Sequence, residues 1–219
     1  MQTLTEKVFK LSPPFGLFNS TVVKNLFPES SDGSRKLLIN RAVNAKEVIR
    51  LKRGLFILAR EYRKSDPHPY TIAAMLHAPS HISLETALAY HGLIPEAVFQ
   101  IASVTASRSR EFETPLGIFT FQRVPMLNPR TGVESIKLDE DTWAFIATPL
   151  RAVADLIYLR KEVSWDKDGL GFLVDSLRIE EEDLLNIDLT YLTELFSGFR
   201  DKRTINYLKG MKKVLLHDL

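Results

Sequence analysis

The chain has 219 residues, enough for one large domain or two small ones with a buried core. Apolar residues at 45% and charged residues at 26% fit an ordinary globular protein, and no run nears the roughly 20 apolar residues of a membrane span. The N-terminus, MQTLTEKVFKLSPPFG, has neither the apolar core nor the small-residue cleavage site of a secretory signal, and the absence of cysteine excludes disulfides and thiolate metal sites, so a cytoplasmic location is expected.

The net charge of +2 conceals a division. Residues 1–64 hold thirteen Lys/Arg against five Asp/Glu, and residues 65–219 hold sixteen against twenty-two. The first part is therefore +8 and the second −6. A basic surface attracts phosphate and an acidic one repels it, so two modules with different partners are expected.

The first module reads as three helices and a hairpin. Thr3 and Glu6 have the spacing of a capping box, and Leu4, Val8 and Leu11 recur on one helical face. Pro13, Pro14 and Gly16 end that helix. Asn19 or Ser20 caps a second, carrying Val22, Val23 and Leu26 and stopped by Pro28. A third helix is predicted from about Ser34 to Ala45. On a wheel, Leu38, Ile39, Ala42, Val43 and Ala45 gather on one side, with Lys36, Asn40, Arg41 and Asn44 on the other. Residues 47–58 alternate, then break at Arg53 and Gly54, as two strands around a basic turn.

Three helices followed by a basic hairpin form the winged variant of the helix-turn-helix, expected over residues 1–60. A helix fits the major groove, where Lys36, Asn40 and Arg41 are suitable types to reach base edges. Ser34 and Arg35 lie near the positive end of the helix, where phosphate is favoured. Arg50, Lys52 and Arg53 would follow the DNA backbone or enter the minor groove. The plainer reading is a set of solvated charges on a small helical domain.

Residues 59–68 are polar, aperiodic and end at a proline, as a linker would. From 68 to 219 a mixed α/β domain is expected, making the whole chain α+β. Pro69–His77 reads as a helix burying Ile72, Ala73 and Leu76. Ser83 caps a helix over Leu84–His91, closed by Gly92. Val98–Thr105 is rich in β-formers. Arg110–Thr114 and Gly117–Val124 form a hairpin, and Ser135–Leu138 and Thr142–Ala147 two further strands. Pro149 opens a helix carrying Leu150, Val153, Ala154, Ile157 and Tyr158, and helices dominate from Lys167 onward, ending in a basic one over Lys202–Leu216.

Chemistry is sparse. His77 and His81 have a metal-ligand spacing only on a continuous helix, and Pro79 lies between them. Glu111 and Glu113 share one face of a strand without a His or Lys partner, which fits a solvated face. Asp155 sits among apolar neighbours and needs a partner, for which a nearby arginine is a better fit than a catalytic role. There is no phosphate loop, GxSxG elbow or GxGxxG. No cofactor and no enzymatic activity are expected.

The stretch from His81 to Glu96, HISLETALAYHGLIPE, resembles a signature of AbiEi-type antitoxins from bacterial type IV toxin–antitoxin systems. Ser103 to Thr105 with Arg108 and Arg110, and then Phe112 to Gly117 (FETPLG), are similar to the family's strand and hairpin. Ile146 to Pro149 (IATP), leading to Ala152, Asp155 and Leu156, is similar to its ATPEKALLD helix start. Arg53 to Phe56 (RGLF) resembles the turn of its winged helix. The likeness runs from about residue 3 to residue 160. One departure stands out: Leu150 and Arg151 replace the family's glutamate and lysine after the proline, leaving open any role of that glutamate.

The resemblance implies an autorepressor whose winged helix binds inverted repeats of double-stranded DNA in its own promoter. Its second domain would counter a nucleotidyltransferase-like toxin, directly or functionally, with Glu85, Arg108, Arg110 and Asp155 as candidate residues. The alternative of another class is a metal-dependent nuclease delivered by the winged helix, with Glu111, Glu113 and Asp155 as ligands. A plain repressor without a toxin is a third possibility.

Overall fold

A computed structural model describes residues 1–95, 99–140 and 142–217, in an α+β arrangement of two compact units. One comprises residues 1–76 with 112–117, the other 77–111 with 118–219.

In the first unit, helix α1 (Thr3–Leu11) buries Leu4, Thr5 and Val8. The expected capping box does not form. Thr3 is already inside the helix, Gln2 is the cap residue, and the Gln2 N–H is taken by Glu47 Oε2 at 2.7 Å. Glu6 instead pairs with Lys10 one turn on. Leu11 stays exposed because the helix stops there, with Ser12 left-handed at φ 49° and its N–H returned to the carbonyls of Val8 and Phe9.

Strand β1 (Leu17–Asn19) leads directly into α2 (Ser20–Leu26), which is capped by Asn19 Oδ1 accepting from the Val22 N–H at 3.0 Å. Helix α3 (Asp32–Asn44) begins two residues earlier than the wheel suggests, because the hydroxyl of Ser31 accepts from the Ser34 N–H. Ile39 and Ala42 are buried, while Leu38 and Val43 are half-buried. Ala45 is exposed because it stands past the last helical turn.

Strands β2 (Val48–Lys52) and β3 (Leu55–Leu58) follow, turning at Gly54, whose φ of +82° suits glycine. The sheet runs β1-β3-β2, antiparallel throughout, with Leu17 opposite Ile57 and Ile49 opposite Ile57 on its other side. Leu4, Val8, Phe18, Val23, Ile39, Ala42, Val48, Phe56 and Leu58 form the core, in which the Phe18 and Phe56 rings stack at 5.5 Å.

Residues 59–68 differ from an open linker. The side chain of Arg63 is 5% exposed, donates to the Leu58 carbonyl at 2.8 Å and pairs with Asp66, to which Arg60 also binds. These polar residues hold one another against the unit, so the division between units falls at Leu76 and His77, and helix α4 (Pro69–Leu76) belongs with the first. Ile72, Ala73 and Leu76 of that helix are buried.

The second sheet contains β4 (His81–Ile82), β5 (Gln100–Thr105), β6 (Arg110–Thr114), β7 (Gly117–Arg123), β8 (Val133–Lys137) and β9 (Trp143–Ala147). Helix α5 (Leu84–Tyr90) stands between β4 and β5. The strand order is β6-β7-β5-β4-β9-β8, mixed in direction: β4 is parallel to β9 and antiparallel to β5, and β5 is parallel to β7. The strand expected from Val98 opens at Gln100, and Val98 and Glu96 lie outside the described residues, as does Asp141 in the acidic turn.

Helix α6 (Pro149–Leu159) is the centre of this unit. Thr148 caps it, Pro149 occupies its first turn, and every residue from Leu150 to Ile157 is buried. A short α7 (Trp165–Asp168), a wide π-turn at Phe172–Ser176, α8 (Glu181–Leu185), α9 (Leu192–Gly198) and α10 (Lys202–His217) complete the unit. Tyr207, Leu208, Met211 and Leu215 give α10 its buried face. Gly210 lies against Trp165 so closely that an added Cβ would meet the indole at 2.1 Å. Among the described residues, no helix is long and apolar enough to cross a membrane.

Candidate functional site

The eight basic and polar residues of α3 and the hairpin fall into three groups. Lys36, Arg41 and Arg53 are exposed. Asn40 and Arg50 meet across the two elements: Arg50 Nη2 donates to Asn40 Oδ1 at 3.0 Å, and its guanidinium lies 5.8 Å from the centre of the Phe56 ring. The bond ties the outer face of α3 to the first strand of the hairpin.

Ser34, Arg35 and Lys52 are committed to the fold. The hydroxyl of Ser34 lies 3.0 Å from that of Ser31 at the helix cap. Arg35 bends back beneath its own helix, its side chain 13% exposed, to bind the carbonyls of Phe27 and Pro28 and the carboxylate of Asp32. Those carbonyls sit where α2 has ended and need a donor, and Arg35 supplies it. Lys52 Nζ donates to the Leu76 carbonyl at the end of α4, 2.6 Å away, which suits a cation at a helix C-terminus.

In the second unit a polar cluster is buried around α6. Asp155 is fully buried; Oδ1 accepts from Arg151 Nε at 2.9 Å and Oδ2 from the Ser83 hydroxyl at 2.8 Å. Arg151 is equally buried, and its Nη1 donates to the carbonyls of Thr131 at 2.7 Å and Pro129 at 3.2 Å. Burial alone would raise the Asp155 carboxyl, but the charge of Arg151, with His81 and Ser83 adding to it, holds it below the ordinary range. His81 Nε2 lies 3.7 Å from Oδ2, beyond hydrogen-bond reach, and has no other partner among the described residues.

This cluster decides several sequence expectations. Asp155 has its arginine, one helical turn away on the same helix. Ser83 stands at the start of α5 but its side chain does not cap it, because the hydroxyl turns toward Asp155, to which it donates. Gly132 closes over the pair: at φ +66°, a Cβ there would come within 2.8 Å of Arg151 Cβ.

The remaining candidates are peripheral to it. Glu85 pairs with Arg160 at 3.3 Å near the surface. Arg108 and Arg110 are exposed, and the Arg108 carbonyl accepts from His77 Nε2 at 3.2 Å. The His77 ring stands edge-on to Phe121. Glu111 and Glu113 are exposed on β6. Among the described residues, no three His, Asp or Glu side chains converge as metal ligands would.

Sequence reasoning expected an arginine beside Asp155 without naming Arg151, and gave Ser83 no place in this cluster. The signal for Arg151 was present in its i−4 spacing from Asp155; Ser83 comes from 72 residues away and left no local trace. No protein-family model matches the chain, and no curated protein matches it at a significant level.

Proposed function

We propose that this chain is a non-enzymatic, DNA-binding transcriptional autorepressor of the AbiEi antitoxin type, acting in the cytoplasm. Its first unit serves as a winged helix-turn-helix, with α3 as the recognition helix and the β2–β3 hairpin as the wing. The order α1-β1-α2-α3-β2-β3, with a three-stranded antiparallel sheet, supports that reading. Its second unit counters a nucleotidyltransferase-like toxin.

The observation that carries the DNA-binding part is the Asn40–Arg50 bond beside the exposed Lys36, Arg41 and Arg53. It joins a helix suited to the major groove with a basic hairpin suited to the phosphates on either side. The net charge of +8 over residues 1–64 supplies the long-range attraction.

The nuclease reading loses its strongest ligand, since both oxygens of Asp155 are engaged and its charge is met by Arg151. The antitoxin assignment rests on the resemblance of HISLETALAYHGLIPE, FETPLG and IATP to that family.

Fluorescence anisotropy with a labelled duplex from upstream of the gene, against a scrambled duplex of equal length, tests the first part. Preferential binding is expected; equal affinity for both duplexes would remove the autorepressor role. Co-expression with the neighbouring open reading frame tests the second. Relief of a growth arrest is expected, and an arrest unaffected by this chain would remove the antitoxin role.

A further inference from the structure

Although residues 65–219 are acidic in sum, the second unit contains a basic cleft of about 710 Å³. It lies where the C-terminal end of α6 meets the first turn of α10. One wall is apolar and flat. The Tyr158 ring is half-buried there, backed by Phe199 with ring centres 5.9 Å apart, and Met126 and Leu127 face the same space. Met126 reaches this position because residue 198 is glycine: a Cβ at Gly198 would come within 2.6 Å of its terminal methyl.

The charged wall divides into satisfied and unsatisfied groups. Arg203 donates to the carbonyls of Val163 at 2.6 Å, Arg160 at 3.1 Å and Tyr158 at 3.2 Å, so it closes the end of α6. Asp201 accepts from the N–H and hydroxyl of Thr204 at 2.9 and 2.6 Å and so caps α10. Asp201 also lies 3.5 Å from Arg203, and its carboxylate charge reaches Lys161 as well. Lys161 and Arg200 also line the cleft, and both are exposed. Among the described residues, no hydrogen bond or salt bridge holds the side chain of either.

An inorganic anion would use the two cations and waste the aromatic wall. A neutral aromatic would leave the two exposed cations unused. A ligand with both a flat ring and a phosphate uses each wall, and the volume lies in the roughly 300–1,000 Å³ range of small-molecule sites. We propose that this cleft binds a nucleoside phosphate, its base against Tyr158 and Met126 and its phosphates between Lys161 and Arg200. The residues belong to one unit and none of them lies on α3 or the hairpin, so the proposal stands apart from DNA binding.

Isothermal titration of the full chain with ADP, adenosine and pyrophosphate at about 50 mM salt tests it, with no DNA present. ADP is expected to bind at least about tenfold more tightly than either fragment, and its affinity to fall as salt rises. Lys161→Ala with Arg200→Ala should weaken ADP by about tenfold or more per lost charge-assisted contact. Tyr158→Leu should weaken ADP but leave pyrophosphate unchanged. Both substituted cations are exposed, so an unchanged urea midpoint is expected alongside, and the wild-type salt dependence gives a readout independent of any variant.

Absence of ADP binding at millimolar concentration overturns the proposal. So does pyrophosphate binding as tightly as ADP, which would make the cleft a simple anion site. Binding of poly-glutamate without ADP binding would assign it to an acidic peptide and overturn it equally.

Discussion

Arg50 on the hairpin fixes the orientation of Asn40 on α3. A guanidinium has donors only, so the amide must turn its oxygen toward Arg50, which leaves the two Nδ2 hydrogens as its free donors. If α3 enters the major groove, Asn40 therefore offers hydrogens to acceptors such as purine N7 or guanine O6. Asn40→Asp keeps an acceptor for Arg50 but removes the donors. That variant is expected to lose about 1–3 kcal/mol on the cognate duplex, or roughly five- to 150-fold in Kd, beyond a smaller loss that the added negative charge causes on scrambled DNA as well. Paired anisotropy titrations check it, and an equal loss on both duplexes would deny Asn40 a reading role.

The exposed cations Lys36, Arg41 and Arg53 make a different prediction. Their joint replacement by alanine should weaken binding to all sequences, most on the cognate duplex where Lys36 and Arg41 would reach base edges, and flatten the plot of log affinity against log salt by about 0.9 for each phosphate contact removed. Lys52→Ala, by contrast, should act on stability, because that side chain holds the Leu76 carbonyl at the end of α4. Urea denaturation beside the salt series separates the two effects.

Much of the first unit was legible in the sequence because its signals are local. Asn19 capping α2, the period of α3 and the glycine turn at Gly54 each depend on residues a few positions apart. The inward turn of Arg35 was not legible: a basic residue in a basic segment reads as solvated, and only the placement of the Phe27 and Pro28 carbonyls shows the demand it meets. Ser83 failed the same way. Ser at the start of a helix is a cap by every local rule, yet a buried carboxylate from a distant helix claimed its hydroxyl. The capping box at Thr3 failed because the helix starts one residue early, with Gln2 at the cap position and its N–H held by Glu47 from across the unit.

The buried pair of Arg151 and Asp155 predicts an asymmetric response to mutation. Arg151→Met leaves a carboxylate buried without its counter-ion and should cost about 3–5 kcal/mol, whereas adding Asp155→Leu should restore most of it. Urea midpoints of the two variants test this. Should the double variant be less stable than the single one, the pair contributes more than the removal of its own penalty.

The same carboxylate carries a pH signature. Its pKa is depressed in the folded protein, so its stabilising contribution is complete above the unfolded carboxyl value of about 4 and is lost as pH falls toward the folded value. The stability advantage of the wild type over Asp155→Asn should be constant from pH 5 to pH 7, by this ~4 midpoint, and shrink below it. A gap that widened on acidification would have the wrong sign for this arrangement.

Gly210 reverses the usual rule for helices. Alanine normally gains about 1 kcal/mol over glycine in a helix interior. Here the new methyl group would collide with the Trp165 ring, so Gly210→Ala should instead destabilise by about 1–3 kcal/mol. With Trp143 replaced by Phe, the one remaining indole reports the displacement as a shift in emission.

Metal-dependent cleavage offers a final check. Incubated with Mg²⁺ or Mn²⁺, the protein should leave plasmid DNA intact, since Glu111 and Glu113 are solvated and Asp155 is engaged by Arg151. Cleavage abolished by Asp155→Ala would restore the enzymatic reading.

By gathering three carbonyls, Arg203 joins parts of the chain that are 40 to 45 residues apart. One side chain in the first turn of α10 thereby completes the end of α6, the most deeply buried helix of its unit. The two helices should consequently open as a single cooperative block: amide hydrogens at the end of α6 exchange only when α10 lifts away, at the same rate and with the same response to denaturant. The last helix is thus a closing bolt on the centre of the second unit, and disturbing its first turn would loosen residues that it never touches in sequence.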